Sequence, residues 1–239
     1  MVCNSGVRMT PSVDGEIRWF SEHGLYDGLF LMRDRESGTF WDHLTGEAVY
    51  GPEVGTRLEV APLRQTRVRQ LIAEDSDAMI ALSDRGGLRS DDQMKTEGLL
   101  RGVRGRLNRF FAGTIEEEDT RRPTMDLGLG VWGGERAVYF PYDVVVTTDN
   151  AILTEYDGRG ILVYLDPTAQ ALTAIFTDAD GVRWEDDVLH LSDGSRIEEG
   201  VVYDAAGERA EVERPLQVFT RWYGFSLTFD DVAIHGEEG

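Results

Sequence analysis

Short apolar runs broken by turn-forming residues fill the first sixty positions of the chain. Val13-Asp14-Gly15-Glu16-Ile17 sets an Asp-Gly pair between apolar residues and leads into Trp19 and Phe20, which predicts a hairpin. Leu29-Phe30-Leu31-Met32 predicts an apolar strand, and Glu36-Ser37-Gly38-Thr39 a turn into Phe40-Trp41. Ala48-Val49-Tyr50 and Leu58-Glu59-Val60 follow, separated by Gly51-Pro52 and Gly55. Gly and Pro at such short intervals suit a sheet of short strands better than helices.

The middle of the chain changes period. Val68, Leu71 and Ile72 fall at helical spacing but leave residues 64 to 74 ambiguous. A helix is predicted from about Asp91 to Phe111. Ser90 is a good N-cap, and Asp91 and Asp92 lie where the helix dipole favours negative charge. Leu99, Leu100, Val103, Leu107, Phe110 and Phe111 make one apolar face, and Arg101, Arg104, Arg106 and Arg109 a basic one. Gly98, Gly102 and Gly105 oppose it, at about 1 kcal/mol each relative to Ala. Glu116 to Asp119 and Arg121-Arg122-Pro123 read as a solvated linker, its carboxylates available to the helix arginines.

Strand signals return after Gly128. They lie at Gly130 to Trp132, Ala137 to Tyr139, Val144 to Val146 and Ile161 to Leu165, and Asp166-Pro167 closes the last with a turn. Leu172 to Phe176 and Val182 to Trp184, joined through Asp180-Gly181, read as one more hairpin. An internal echo runs through these elements. Asp14-Gly15-Glu16-Ile17-Arg18-Trp19 resembles Asp180-Gly181-Val182-Arg183-Trp184; Val49-Tyr50, Leu58 to Val60 and Pro62-Leu63 recur in order as Val202-Tyr203, Ala210 to Val212 and Pro215-Leu216. The expected fold is therefore a β-rich α+β class: two related units of short antiparallel strands with a central amphipathic helix. The units would span residues 1–83 and 123–239, with helix and linker at 84–122, one compact domain being the alternative.

Composition narrows the function classes. Of 239 residues, 44 are Asp or Glu and 24 are Lys or Arg, a net charge of −20 that repels polyphosphate and argues against nucleic-acid binding. Lys95 is the one lysine, so the basic residues are otherwise arginine, as a halophile or a high-GC genome would produce. No apolar run approaches the roughly 18 residues needed to span a bilayer. The first residues lack the basic and apolar regions of a signal peptide, so a cytoplasmic location is expected. Phosphate-loop, His-Glu-x-x-His and Gly-x-Ser-x-Gly motifs are absent from the sequence.

Three stretches resemble one family. They are Cys3-Asn4-Ser5-Gly6, Gly24 through Trp41, and Gly46-Glu47-Ala48-Val49-Tyr50-Gly51-Pro52. Together they resemble the domain of unknown function 3179 family, with its cysteine segment, its leucine-rich strand into Asp-Arg-Glu-Thr, the Trp after it, and Gly-Glu-Ala with Gly-Pro. Ala137-Val138-Tyr139-Phe140-Pro141 is similar to the family's Ala-Tyr-Pro element. Only Met1 and Val2 precede Cys3, so the first cysteine of the family's Cys-x-x-Cys has no counterpart, nor does its further N-terminal region. The resemblance implies a fold and carries no activity with it.

Candidate chemistry gathers in the first unit. Cys3, His23 and His43 have the ligand types that zinc or copper takes, although their separations of 20 residues match no closely spaced metal motif. Asp27 to His43 is the densest polar cluster among apolar residues. Asp34 or Asp42 there is placed to orient His43 as a general base, and Asp27, Asp34, Arg35 and Trp41 are candidate ligand contacts. Against these stand plainer readings: loop histidines, an Arg–Asp pair holding a hairpin, and Trp41 in the core. Glu185-Asp186-Asp187 reads as a solvated face, lacking the spacing of a calcium loop. The five tryptophans, 19, 41, 132, 184 and 222, suit a sheet core better than a sugar platform, with Trp19 and Trp184 at matching positions of the two units. Without a complete catalytic set, a non-catalytic ligand- or partner-binding domain is preferred, and a metal-dependent or acid/base enzyme is the alternative.

Overall fold

The computed structural model describes residues 6–79 and 113–237. The predicted helix at 91 to 111 lies outside them, as does Cys3. Within them the protein is β-rich α+β, as expected.

The first unit begins with two short pairs. β1 (Arg8–Met9) pairs with β8 (Val60–Ala61), and β2 (Ser12–Val13) forms a hairpin with β3 (Glu16–Ile17). A four-stranded antiparallel meander follows: β4 (Phe20–Tyr26), β5 (Leu29–Asp34), β6 (Phe40–Asp42) and β7 (Ala48–Tyr50). Its inner face packs Met32 and Phe20 on buried Trp41, Ala48 and Leu58. Asp14-Gly15 and Asp27-Gly28 turn the hairpins with positive φ at both residues, the geometry that matches strand twist. The ambiguous segment resolves as α1 (Val68–Glu74).

Three sheets stack in the second unit. The central one orders β18 (Leu216–Arg221), β9 (Leu127–Trp132), β10 (Ala137–Pro141) and β19 (Val232–Ile234), with β10 and β19 parallel. Leu129, Val131 and Phe140 on one of its faces pack against Ile161, Val163 and Ala174 of the antiparallel sheet β11 (Ala151–Tyr156), β12 (Arg159–Asp166) and β13 (Ala171–Phe176). That sheet's other face sets Leu162, Tyr164 and Ile175 on a second meander: β14 (Val182–Glu185), β15 (Val188–Leu191), β16 (Arg196–Glu198) and β17 (Val201–Tyr203). Because β9, β12 and β13 are covered on both sides, they read as continuous apolar runs rather than alternating ones.

The far face of the central sheet joins the units. Trp132, Tyr139 and Val218 pack there with Trp222 and Phe225 of α3 (Trp222–Ser226) and with Leu44 from the first meander. β9 admits the Tyr139 and Phe225 rings only because Gly128 and Gly130 stand on that face beside Trp132. A Cβ at Gly130 would lie 2.1 Å from the Phe225 ring, and one at Gly128 2.5 Å from the Tyr139 ring. A second link crosses at α1, where the buried Gln70 side chain donates to Asp166 Oδ2 (2.8 Å) and to the Glu199 carbonyl (2.9 Å).

The echo has a structural counterpart, since Val49-Tyr50 and Val202-Tyr203 fall in the fourth strands of the two meanders. Several expectations need correcting. Val144 to Val146 belong to a helix, α2 (Tyr142–Thr147), despite their β-branching. Pro141 ends β10 at its start, and Val145 is fully buried, so packing overrides propensity. β13 pairs with β12 and β14 with β15, so Asp180-Gly181 links two sheets rather than turning a hairpin. Trp19 is not core. At 66% exposure it stands out from the β3–β4 connection, while Trp41, Trp132 and Trp222 are buried and Trp184 is half-buried. The acidic and basic run at 116 to 123 is not a free linker: Asp119 pairs with Arg121, whose guanidinium lies over Trp222, and Arg122 reaches Asp126, Asp143 and Glu237.

Gly130→Ala tests the close approach of α3 to β9. Reduced freedom of the unfolded chain would stabilise the variant by about 0.4–1 kcal/mol. Overpacking against Phe225 costs about 1–3 kcal/mol and wins. Urea unfolding is expected to show a lower midpoint with an unchanged slope.

Candidate functional site

Two aspartates of the same local pattern organise the first meander. Asp34-Arg35-Glu36-Ser37-Gly38 follows β5, and Asp42-His43-Leu44-Thr45-Gly46 follows β6. In each, the carboxylate accepts hydrogen bonds from the loop it begins, as Asp does readily in turns. Asp34 Oδ1 accepts from the Ser37 backbone N–H (2.6 Å) and hydroxyl (2.9 Å) and from the Gly38 N–H (3.3 Å). Its Oδ2 accepts from the buried Trp41 indole N–H at 2.8 Å and is also within 2.7 Å of the Ser37 hydroxyl. Burial alone would push the Asp34 carboxyl up, but the hydrogen bonds from Trp41, Ser37 and Gly38 outweigh it and hold it below its ordinary value of 3.8.

Asp42 is arranged differently. Oδ1 takes all three local bonds, from the Leu44 N–H (2.9 Å), the Thr45 N–H (2.6 Å) and the Thr45 hydroxyl (2.9 Å). Oδ2 makes no hydrogen bond among the described residues. Strand alternation explains the contrast. β5 and β6 pair with Met32 opposite Trp41 and Leu31 opposite Asp42, so Asp34 shares the inner face with Trp41 while Asp42 shares the outer face with Leu31 and Phe40.

That outer face is the floor of a cup of about 590 Å³. Leu29, Leu31 and Phe40 form the floor, Tyr26, Val49 and Tyr50 the walls, and Leu227 and Thr228, just beyond α3, the far side. Asp27, Asp42 and Glu47 also line it, with Thr45, and no lining residue is basic. Tyr26, Val49 and Tyr50 are 67%, 49% and 72% exposed. Asp27 on the rim accepts the Glu116 N–H at 2.8 Å, Glu47 pairs with Arg57 at 3.2 Å, and Arg33 lies over the Phe40 ring at 5.6 Å from its centroid.

A second cavity, of about 660 Å³, lies between α1 and β17. The arginines that line it are already engaged: Arg209 pairs with Glu74, and Arg214 donates to Thr173 Oγ1 and the Ala174 carbonyl. Those arginines serve the fold, which leaves the cup as the better-formed candidate site.

The predicted site residues divide between the two faces. Asp27 and Asp42 reach the cup. Asp34 and Trp41 are buried beneath the sheet and bonded to each other, so neither meets a ligand. Arg35 is exposed, with its backbone N–H on the Trp19 carbonyl, and takes no part in holding the Asp34 turn. His23 packs edge-on to Phe40 (5.0 Å between ring centroids) and His43 to Phe30 (5.8 Å), and alternation along β5 and β6 puts those two rings on opposite faces. The histidines therefore do not converge. Both carboxylates turn their hydrogen bonds to their own loops rather than to His43, and among the described residues no three His, Cys, Asp or Glu side chains group as metal ligands. The sequence reading missed Leu29, Leu31, Phe40 and Tyr50 as a surface, although their alternation in strands was the available signal. Nothing in the sequence ties Leu227 to them.

A family profile described as "Protein of unknown function (DUF3179)" matches residues 1–223, and the chain belongs to that family. Neither a curated protein nor a solved structure matches it. No helix among the described residues is long and apolar enough to cross a membrane.

Asp34→Asn provides a test of the inner carboxylate. A group whose folded-state pKa lies below its unfolded value contributes stability above the unfolded pKa and loses it as pH falls through the folded one. The wild type is therefore expected to lose a step of stability below about pH 4 that the variant lacks. The variant should be less stable throughout, because an amide nitrogen cannot accept from Trp41. Thermal melts from pH 3 to 7 read both effects.

Proposed function

We propose that the protein is a non-catalytic binding domain whose site is the cup on the outer face of the first meander. The observation that carries the reading is the cup's lining: an apolar floor, exposed walls with two tyrosines and a valine, and a few acidic groups. Ligand sites of this kind hold about 300–1,000 Å³ and combine a mostly apolar surface with a small number of placed polar groups. Exposed apolar residues gathered on one surface are unfavourable in water unless something covers them. The lining therefore favours a small, largely apolar occupant. The net charge of −20 disfavours nucleic acid as a partner.

An acid/base role has less support. Asp34 is occupied by its turn and by Trp41, and His23 and His43 lie against different faces of the sheet. Binding needs no more than the geometry already in place.

Nile red, a neutral apolar dye, probes the cup directly. Saturable, blue-shifted emission is expected from the wild type, with affinity reduced at least about tenfold, or 1.4 kcal/mol, in Val49→Asp. Val49 is half exposed, so this change leaves the core intact. Emission that is absent, or unaltered by Val49→Asp, contradicts the reading.

A further inference from the structure

The cup's chemistry narrows its occupant beyond "apolar". Every ionisable carboxylate lining it is acidic in the same sense, and the lining contains no cation to oppose them. Of the three, Asp27 accepts a backbone N–H and Glu47 is held by Arg57 at the edge. Asp42 differs in both respects that matter. It is 7% exposed, and its Oδ2 has no hydrogen-bond partner among the described residues while Oδ1 carries the whole turn. Asp42 lines the cup, and its Oδ2 is not among the fully buried atoms without a partner, so it is a free acceptor that a ligand in the cup can reach.

The walls point the same way. Phe40 is flanked by Tyr50, with ring centroids 6.0 Å apart, and Tyr26 also lines the cup. The negative faces of aromatic rings attract cations. Arg33 over Phe40 is an instance of this already formed within the protein, at the border of the site.

We infer that the cup binds a small organic ammonium ion with an apolar body, its charged nitrogen donating to Asp42 Oδ2 and its hydrocarbon part resting on Leu29, Leu31 and the Tyr50 ring. The inference rests on the reading of the cup as a binding site and adds the charge of the ligand. An ammonium supplies the donor that Oδ2 lacks, in a charge-assisted bond about twice as strong as a neutral one. The three carboxylates raise the local concentration of cations and repel anions. A cavity of about 590 Å³ accommodates a small molecule rather than a folded partner.

Calorimetric titration of the full chain with hexylammonium, 1-hexanol and hexanoate separates the possibilities, since the three share one hydrocarbon tail. Hexylammonium is expected to bind at least about tenfold more tightly than hexanol, and hexanoate not to bind. Raising sodium chloride should weaken the ammonium and leave the alcohol unchanged. Asp42→Asn keeps an Oδ1 acceptor for Leu44 and Thr45 and replaces Oδ2 by a donor, so the ammonium should fall to the affinity of the alcohol. Tyr50→Ala, at a residue 72% exposed and outside the core, should weaken hexylammonium more than hexanol, and it provides an independent reading if the Asp42 variant does not fold. Equal binding of ammonium and alcohol overturns the inference and leaves the cup as a neutral apolar site. An ammonium preference untouched by both variants overturns the assignment to this place. Failure of all three compounds to bind, alongside failure of Nile red, removes the cup reading as well.

Discussion

A single carboxylate at the end of β6 links the fold to the site. Oδ1 of Asp42 gathers the N–H groups of Leu44 and Thr45 and the Thr45 hydroxyl, fixing the turn into β7. That turn delivers Leu44, fully buried, into the cluster formed by Trp132, Val218, Trp222 and Phe225, and so attaches the first meander to the central sheet. The same residue lies on the outer face of the meander and lines the cup. Disturbing the turn would move both the attachment and the wall, because α3 packs in that cluster and Leu227, just after it, forms the far side of the cup.

Asp34 shows what the same pattern does when it faces inward. There both oxygens are used, Oδ1 by the turn and Oδ2 by the Trp41 indole and the Ser37 hydroxyl, and the residue becomes part of the core. The difference follows from strand parity alone: Asp34 shares a face with Trp41, and Asp42 shares one with Leu31. A motif repeated eight residues apart thus has two outcomes, one with both oxygens engaged in the core and one with Oδ2 left on the face of the cup. The central sheet imposes a complementary constraint. Glycines at 128 and 130 let the rings of Tyr139 and Phe225 lie directly on β9, without which α3 could not approach closely enough to carry Leu227 to the cup.

Much of the fold was legible in the sequence. Asp-Gly pairs and short alternating strands announced a β-rich chain; of the echo, Val49-Tyr50 and Val202-Tyr203 both fall in fourth strands, whereas Asp14-Gly15 turns a hairpin and Asp180-Gly181 joins two sheets. What failed did so where tertiary packing decides. Val144 to Val146 look like a strand but turn a corner as α2 because Val145 fills the core. Trp19 matches Trp184 in sequence yet stands in solvent, because it precedes β4 instead of lying within a strand. The candidate site was legible in part: Asp27 was singled out as a ligand contact and Asp42 as a partner of His43, whereas the floor of the cup required knowing which side of β5 and β6 remains uncovered. Leu227 and Thr228 come from the other end of the chain, and no local pattern brings them to Tyr50.

The most direct measurement is a ¹H–¹⁵N map of amide shifts on titration with hexylammonium, because it locates the ligand without presuming the site. The account predicts shifts concentrated at Leu31, Asp42, Leu44, Thr45, Tyr50 and Leu227, residues brought together only by the cup and its turn. Shifts clustered on the second meander, or spread evenly over the acidic surface, would contradict it.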